Sequence, residues 1–206
     1  MRKGRIPILD TNIVYVALFC IIIAPLMGAV TESLKIFLGN LLTLPFVFLL
    51  LYILWLKYGY SGVYLNSINV FVMLTMWSVY GAVPLFSFIW GHWVGWLTIL
   101  FHLGTFMVGF INREKLILGL NGKSTKGDNE PNPFILYYIL GILILGIVGT
   151  IILHVTLVTS TDAVYFFGFI YLLSYCFYAI SPAFLVHPDR ALELGVISQR
   201  HYDEYN

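Results

Sequence analysis

Charged residues are absent from five long stretches of the chain, which consist mainly of aliphatic and aromatic side chains. These stretches are 11–31, 36–56, 58–112, 131–161 and 163–188. A helix needs about 20 apolar residues, at a rise of about 1.5 Å per residue, to cross the hydrocarbon of a bilayer. Four stretches suit one helix each, and the third has room for two. The pattern therefore predicts six spans, near 10–30, 36–56, 68–90, 93–112, 133–155 and 163–186.

The long central stretch is expected to fold back at Trp90-Gly91-His92, which divides it into two helices. Helices are predicted rather than barrel strands, because barrel strands alternate apolar and polar residues and runs such as FILYYILGILILGIVGTIIL do not. The predicted fold class is thus an all-α integral membrane protein. One domain covers 1–186, and a short cytoplasmic tail covers 187–206.

Composition supports burial in lipid. Apolar residues make up 60% of the chain and charged residues 10%, whereas about a quarter of a soluble domain is charged. The two cysteines, Cys20 and Cys176, fall inside predicted spans and are expected to behave as small apolar residues, which excludes a disulfide framework. The net charge of +1 gives no reason to expect a nucleic-acid partner.

The basic residues predict the orientation, because lysine and arginine are retained in cytoplasmic loops. With the N-terminus inside, ten of the eleven are cytoplasmic: Arg2, Lys3, Arg5, Lys57, Arg113, Lys115, Lys123, Lys126, Arg190 and Arg200. The outer segments hold Lys35 alone. Both termini are therefore predicted to be cytoplasmic, in a multi-pass protein of a cell membrane, of the bacterial cytoplasmic type.

A cleaved signal peptide is the alternative for the N-terminus, since MRKGR precedes an apolar run and LMGAV resembles a cleavage site ending at Ala29. Asp10 and Asn12 interrupt that run, and Met27 is large for such a site. The sequence therefore favours an uncleaved first helix.

One histidine is expected deep in the membrane. His102 lies roughly 14 Å into the fourth span at about 1.5 Å per residue, where ionisable side chains usually face the bundle interior. Its expected hydrogen-bond partners are Thr98, Ser78, Tyr80 or a bound ligand. Tyr171 and Tyr175 share a face of the sixth span.

Two readings of these residues remain open. His102, Tyr171, Tyr175, Ser78 and Tyr80 can line a cavity for a flat apolar ligand, shaped by kinks at Pro45 and Pro84. The alternative is a satisfied interior histidine beside a packed aromatic face.

A second group of polar residues is expected near the outer surface. His92 and His154 share a depth, on the side that carries Glu32 and Asp162. Two imidazoles with carboxylates can bind zinc or another divalent ion, and two histidines on different helices can ligate a haem iron. No HxxxH or HExxH spacing supports either cofactor, so none is predicted and the alternative is wet interfacial surface.

The tail, LELGVISQRHYDEY, resembles the opening half of the short C-terminal motif known as SHOCT, which has a small helix, a Gly-hydrophobic-Ile-Ser/Thr turn and a second helix. The matching residues are Leu192, Leu194, Gly195, Val196, Ile197, Ser198 and Tyr202. The resemblance implies a docking or oligomerisation element. A tail folded back over the loops is the alternative.

Catalytic patterns are otherwise lacking: there is no G-x-S-x-G and no pair of intramembrane aspartates. The leading hypothesis is accordingly a non-enzymatic accessory subunit whose partner is another membrane protein or a second copy. The alternatives are a small-molecule binder or transport component built around His102, and a haem or metal protein built around His92 and His154.

Overall fold

The computed structural model describes residues 5–122, 133–156 and 161–205, and within these ranges all regular structure is helical. The α-helices are α1 Ile13–Ala29, α2 Leu34–Tyr58, α3 Gly62–Ile89, α4 Trp93–Ile111, α5 Arg113–Leu120, α6 Pro133–Thr156, α7 Thr161–Ile180, α8 Pro188–Glu193 and α9 Gln199–Tyr205. Short 3-10 helices cover Ile8–Asp10 and Ser181–Leu185.

Four of the described helical segments are long and apolar enough to cross a membrane. They are α2, α3, α4 and the segment Phe166–Leu185, which joins α7 to the 3-10 helix after it. Two shorter apolar segments are α1 and Pro133–Gly149 of α6. The protein is therefore all-helical, with at least four segments suited to a bilayer.

The predicted fold-back in the central stretch is confirmed: α3 ends at Ile89 and α4 begins at Trp93. Gly91 has a φ of +88°, a conformation that other residues rarely adopt. The third span, predicted near 68–90, lies within α3, which begins earlier, at Gly62. The added turn is stabilised by Leu65, which is fully buried in the core between α1, α2 and α3.

The span predicted near 163–186 agrees with the apolar helical segment Phe166–Leu185, although α7 ends at Ile180 and the chain continues as a 3-10 helix. Pro182 has no N–H for the carbonyl of Tyr178, so the α-helical ladder stops there. The Ser181 hydroxyl donates to that carbonyl instead, at 2.8 Å.

The largest core cluster lies between α1, α2 and α3 and includes Val16, Cys20, Leu51, Leu65 and Val72. Polar contacts reinforce it. Asn40 donates to the Ala24 carbonyl at 3.0 Å, and the hydroxyls of Thr43 and Tyr80 lie 2.7 Å apart. On its other side α3 packs against α7, where Gly81 faces Ser174.

Segments distant in sequence meet at one end of the bundle. The Ile6 amide donates to the Gly59 carbonyl at 2.9 Å, and the Trp55 indole donates to the Ile6 carbonyl at 2.9 Å. The Ser67 hydroxyl donates to the Phe184 carbonyl at 2.7 Å. The segment before α1, the α2–α3 turn and the chain after α7 therefore lie together.

Candidate functional site

His102 lies on α4 among tyrosines of α7. Its Nδ1 is 3.0 Å from the backbone carbonyl of Thr98 and 3.1 Å from the hydroxyl of Tyr171. The imidazole centroid lies 5.4 Å from the ring of Tyr171, 4.8 Å from Tyr175 and 5.2 Å from Tyr178. The expectation that His102 faces the interior is consistent with this placement, since the side chain is half-buried.

The contact with Thr98 favours one tautomer of His102. The Thr98 carbonyl can only accept, so a 3.0 Å contact is favourable when Nδ1 carries the proton. The Tyr171 oxygen then shares that N–H as an acceptor, and its own hydroxyl proton has no other hydrogen-bond partner within the described residues. Tyr171 is therefore a donor available to a ligand.

A second layer of hydrogen bonds lies beside the first. The hydroxyls of Tyr175 and Thr105 are hydrogen-bonded to each other. The Tyr138 hydroxyl lies 3.2 Å from the Thr105 carbonyl and 3.0 Å from the Ala179 carbonyl, to which it donates. These bonds connect α4, α6 and α7 where lipid offers no alternative partners.

A cavity of about 140 Å³ lies next to this network, between α3, α4, α6 and α7. Its walls are mostly apolar, and its polar side chains are those of Thr98, Tyr171 and Tyr175. The other lining residues are Leu85, Val94, Leu97, Phe101, Leu145, Gly146, Val148 and Gly149. A cavity of about 150 Å³ holds benzene in an engineered protein, so this space suits a single ring.

The remaining residues predicted near His102 lie elsewhere. Ser78 and Tyr80 are buried on α3, neither lines the cavity, and Tyr80 is bonded to Thr43 of α2. Pro84 is buried in α3 next to the lining residue Leu85, whereas Pro45 is exposed on α2.

Sequence reasoning missed several members of the site. Tyr178 follows Tyr175 by three residues and Thr105 follows His102 by three, so both could have been found from the helical period. The contribution of Tyr138 depends on how α6 packs, for which the sequence carries no signal.

The predicted metal or haem site is only partly described. Glu32 and His92 are exposed, in the α1–α2 turn and directly before α4. The side chains of His154 and Asp162 lie outside the described residues. Among the residues whose side chains are described, no three potential metal ligands come together. This site stays a prediction.

The C-terminal tail packs against its own chain. Leu192, Leu194, Val196, Ile197 and Tyr202, the predicted docking residues, are all half-buried. The turn after α8 is a Schellman motif: the Val196 amide donates to Ala191 and the Gly195 amide to Leu192, each at 2.8 Å. Gly195 has a φ of +65°, which explains the glycine in this turn.

Ionic contacts attach the tail to α5. Arg190 donates to both carboxylate oxygens of Glu114, at 3.0 and 2.9 Å, and to Glu193 at 2.7 Å. Tyr202 donates to Asp189 at 2.5 Å. Arg190 also lowers the pKa of Glu114 below its ordinary value, because the two hydrogen bonds favour the ionised carboxylate.

Acidification is expected to loosen the tail. A carboxylate whose pKa is lowered in the folded protein stabilises the fold fully at pH values above its ordinary pKa. This stabilisation is lost as the pH falls through the lowered pKa. The protection factors of the amides in 190–194, which compare the observed exchange with the intrinsic rate at each pH, should therefore fall in that acidic range. Glu114→Gln should exchange faster at neutral pH and lose most of this pH dependence, whereas Glu193→Gln should keep it. A pH response unchanged in Glu114→Gln would contradict the assignment.

Comparison with known proteins gives no relative: no family model, curated protein or solved structure matches the chain.

Proposed function

We propose that the protein is a multi-pass membrane protein that binds a small apolar molecule in the cavity beside His102. The observation that carries the proposal is a cavity of the size of one ring, whose wall includes Tyr171. When Nδ1 of His102 carries the proton, the Tyr171 hydroxyl proton has no acceptor among the described residues. A hydroxyl proton beside a mostly apolar cavity gains from an acceptor on a ligand because lipid supplies none. The ligand class is therefore a single-ring compound with an acceptor oxygen, such as an aromatic ketone or a quinone.

The proposed topology has six spans, with both termini in the cytoplasm. It is supported by the contacts that bring residues 5–12, the α2–α3 turn, α5 and the tail to one end. Basic residues of the described chain at that end are Arg5, Lys57, Arg113, Lys115, Arg190 and Arg200. Lys35 follows the α1–α2 turn at the other end. In this arrangement α1 and α6 complete the six spans.

The partner-subunit role stays a prediction, as does a transport role. The SHOCT-like resemblance also remains a proposal. It is compatible with the packed tail, in which Ser198 directly precedes α9.

Ligand binding can be tested with a matched pair of fluorinated probes, para-fluoroacetophenone and para-fluoroethylbenzene, which differ in the acceptor oxygen. Fluorine NMR of the protein in nanodiscs, referenced to empty nanodiscs, should show saturable binding with a preference for the ketone. Tyr171→Phe should weaken ketone binding by about threefold to tenfold, as expected for one hydrogen bond in a membrane. Binding of the ethylbenzene should be unchanged.

Two glycines of α6 provide a control for the cavity itself. Gly149 lines the cavity and Gly141 does not, and an added Cβ at either position meets no atom within 4 Å. Gly149→Leu should abolish saturable binding of both probes, whereas Gly141→Leu should leave it unchanged. Equal binding by these two variants would rule out the cavity as the site.

A further inference from the structure

A second pocket, which we call the tail pocket, lies at the end of the bundle that carries the tail. It has a volume of about 360 Å³ and is formed by residues 57–64 on one side and by His187, Pro188, Asp189 and Tyr202 on the other. Pockets for small ligands commonly start at about 300 Å³. The tail pocket is separate from the cavity beside His102, because the two share no lining residue.

One cation, Lys57, lines the tail pocket, and a second, Arg5, lies beside the pocket on the lining residue Tyr60. Lys57 lies over the ring of Tyr58 at 5.1 Å, and Arg5 lies over the ring of Tyr60 at 5.1 Å. Within the described chain, neither is within ion-pair distance of a carboxylate, whereas Arg190 contacts two. A cation at a polar pocket without a counter-ion favours an anionic ligand.

The carboxylate of the tail pocket, that of Asp189, already has a partner for each of its oxygens. One oxygen of Asp189 lies 3.2 Å from Nδ1 of His187, and the other accepts from Tyr202 at 2.5 Å. A cationic ligand would also need an open aromatic face. One face of Tyr58 carries Lys57, one face of Tyr60 carries Arg5, and Tyr64 packs against His187 with centroids 4.9 Å apart. The tail pocket is therefore better suited to an anion than to a quaternary ammonium group.

The position of the tail pocket indicates the source of the anion. Lys57 is the first charge after the uncharged stretch 36–56, and α2 ends at the next residue. Trp55, Tyr58 and Tyr60 are the residue types enriched at the membrane–water boundary. This places the tail pocket at the depth of lipid headgroups, where anionic phospholipids of the cytoplasmic leaflet attract basic side chains.

We propose that the tail pocket binds the phosphate of an anionic phospholipid headgroup, held by Lys57 and Arg5. Because the walls come from both the α2–α3 turn and the tail, the bound headgroup bridges them and favours the attached tail.

The test compares the full chain in nanodiscs of phosphatidylcholine with and without phosphatidylglycerol, using native mass spectrometry of retained lipid. Wild-type protein should retain phosphatidylglycerol in preference to phosphatidylcholine. Lys57→Gln should lower that retention by about fivefold, the usual effect of one basic residue near an anionic leaflet. Lys35→Gln changes the same charge at the opposite end of α2 and should leave it unchanged. Equal retention of both lipids, or equal losses in the two variants, would overturn the proposal.

Hydrogen exchange of the tail distinguishes a lipid from a soluble phosphate compound. Phosphatidylglycerol should slow exchange of amides 189–194 in the wild type, and less in Lys57→Gln. Glycerol phosphate added to phosphatidylcholine nanodiscs should have no such effect. If glycerol phosphate alone slows exchange as strongly, the site binds a soluble phosphate and the lipid assignment is wrong.

Discussion

Gly81→Ala is expected to destabilise the protein by about 1–3 kcal/mol, the usual cost of overpacking a close contact. A Cβ at Gly81 would lie 1.8 Å from Oγ of Ser174 and 2.8 Å from its Cβ. The Ser174 Cβ is bonded directly to the α7 backbone, so the clash is relieved only by moving α7 away from α3. Reversible unfolding in mixed micelles measures the change.

Gly39→Ala is the matched control, because a Cβ at Gly39 of α2 meets no atom within 4 Å. Both substitutions gain the same helix propensity, so the difference between them reports the α3–α7 contact. The double variant Gly81→Ala/Ser174→Gly should recover most of the lost stability. If Gly81→Ala and Gly39→Ala unfold alike, the close approach of α3 to α7 is incorrect.

Asn69→Leu is expected to stabilise the protein, by about 1–3 kcal/mol, the cost of an unpaired buried polar group. Asn69 is 0% exposed, and neither its Nδ2 nor its Oδ1 has a hydrogen-bond partner in the described structure. It shares a face of α3 with Leu65 and Val72, which belong to the apolar core. Leucine has the same number and branching of heavy atoms, so it removes the unpaired amide and comes near to the shape of the asparagine side chain.

Asn40→Leu should have the opposite effect in the same unfolding measurement. Asn40 is also buried, but its amide donates to the Ala24 carbonyl and links α2 to α1. Leucine at that position removes the link and leaves the carbonyl with one partner fewer. Destabilisation by both substitutions would mean that Asn69 has a partner in the folded protein.

Features that depend on position along a helix were predictable from the sequence. The shared face of Tyr171 and Tyr175 followed from the helical period, and both rings lie near His102. The turn at Gly91 was predictable because a single helix could not cover so long an apolar stretch.

Features that depend on how helices are rotated about their axes were not predictable. Tyr80 and Gly81 are adjacent on α3, yet Tyr80 is bonded to α2 and Gly81 faces α7. To decide whether Tyr80 lies near His102, one must know how α3 is rotated about its own axis. An apolar stretch does not encode this rotation, because nearly every face of the helix is apolar. The early start of α3 was missed for a related reason, since Asn66 and Ser67 in its first turns are hydrogen-bonded to other segments, at Asn12 and Phe184.

The two ends of the helical bundle differ in how much chain they carry. One end carries the N-terminal segment, the α2–α3 turn, α5 and the tail. In the described chain the opposite end has two short turns, 30–33 and 90–92, which provide little surface for contact with another macromolecule. Within the described chain, most of the surface that a water-soluble protein could contact therefore lies at the end that carries α5 and the tail.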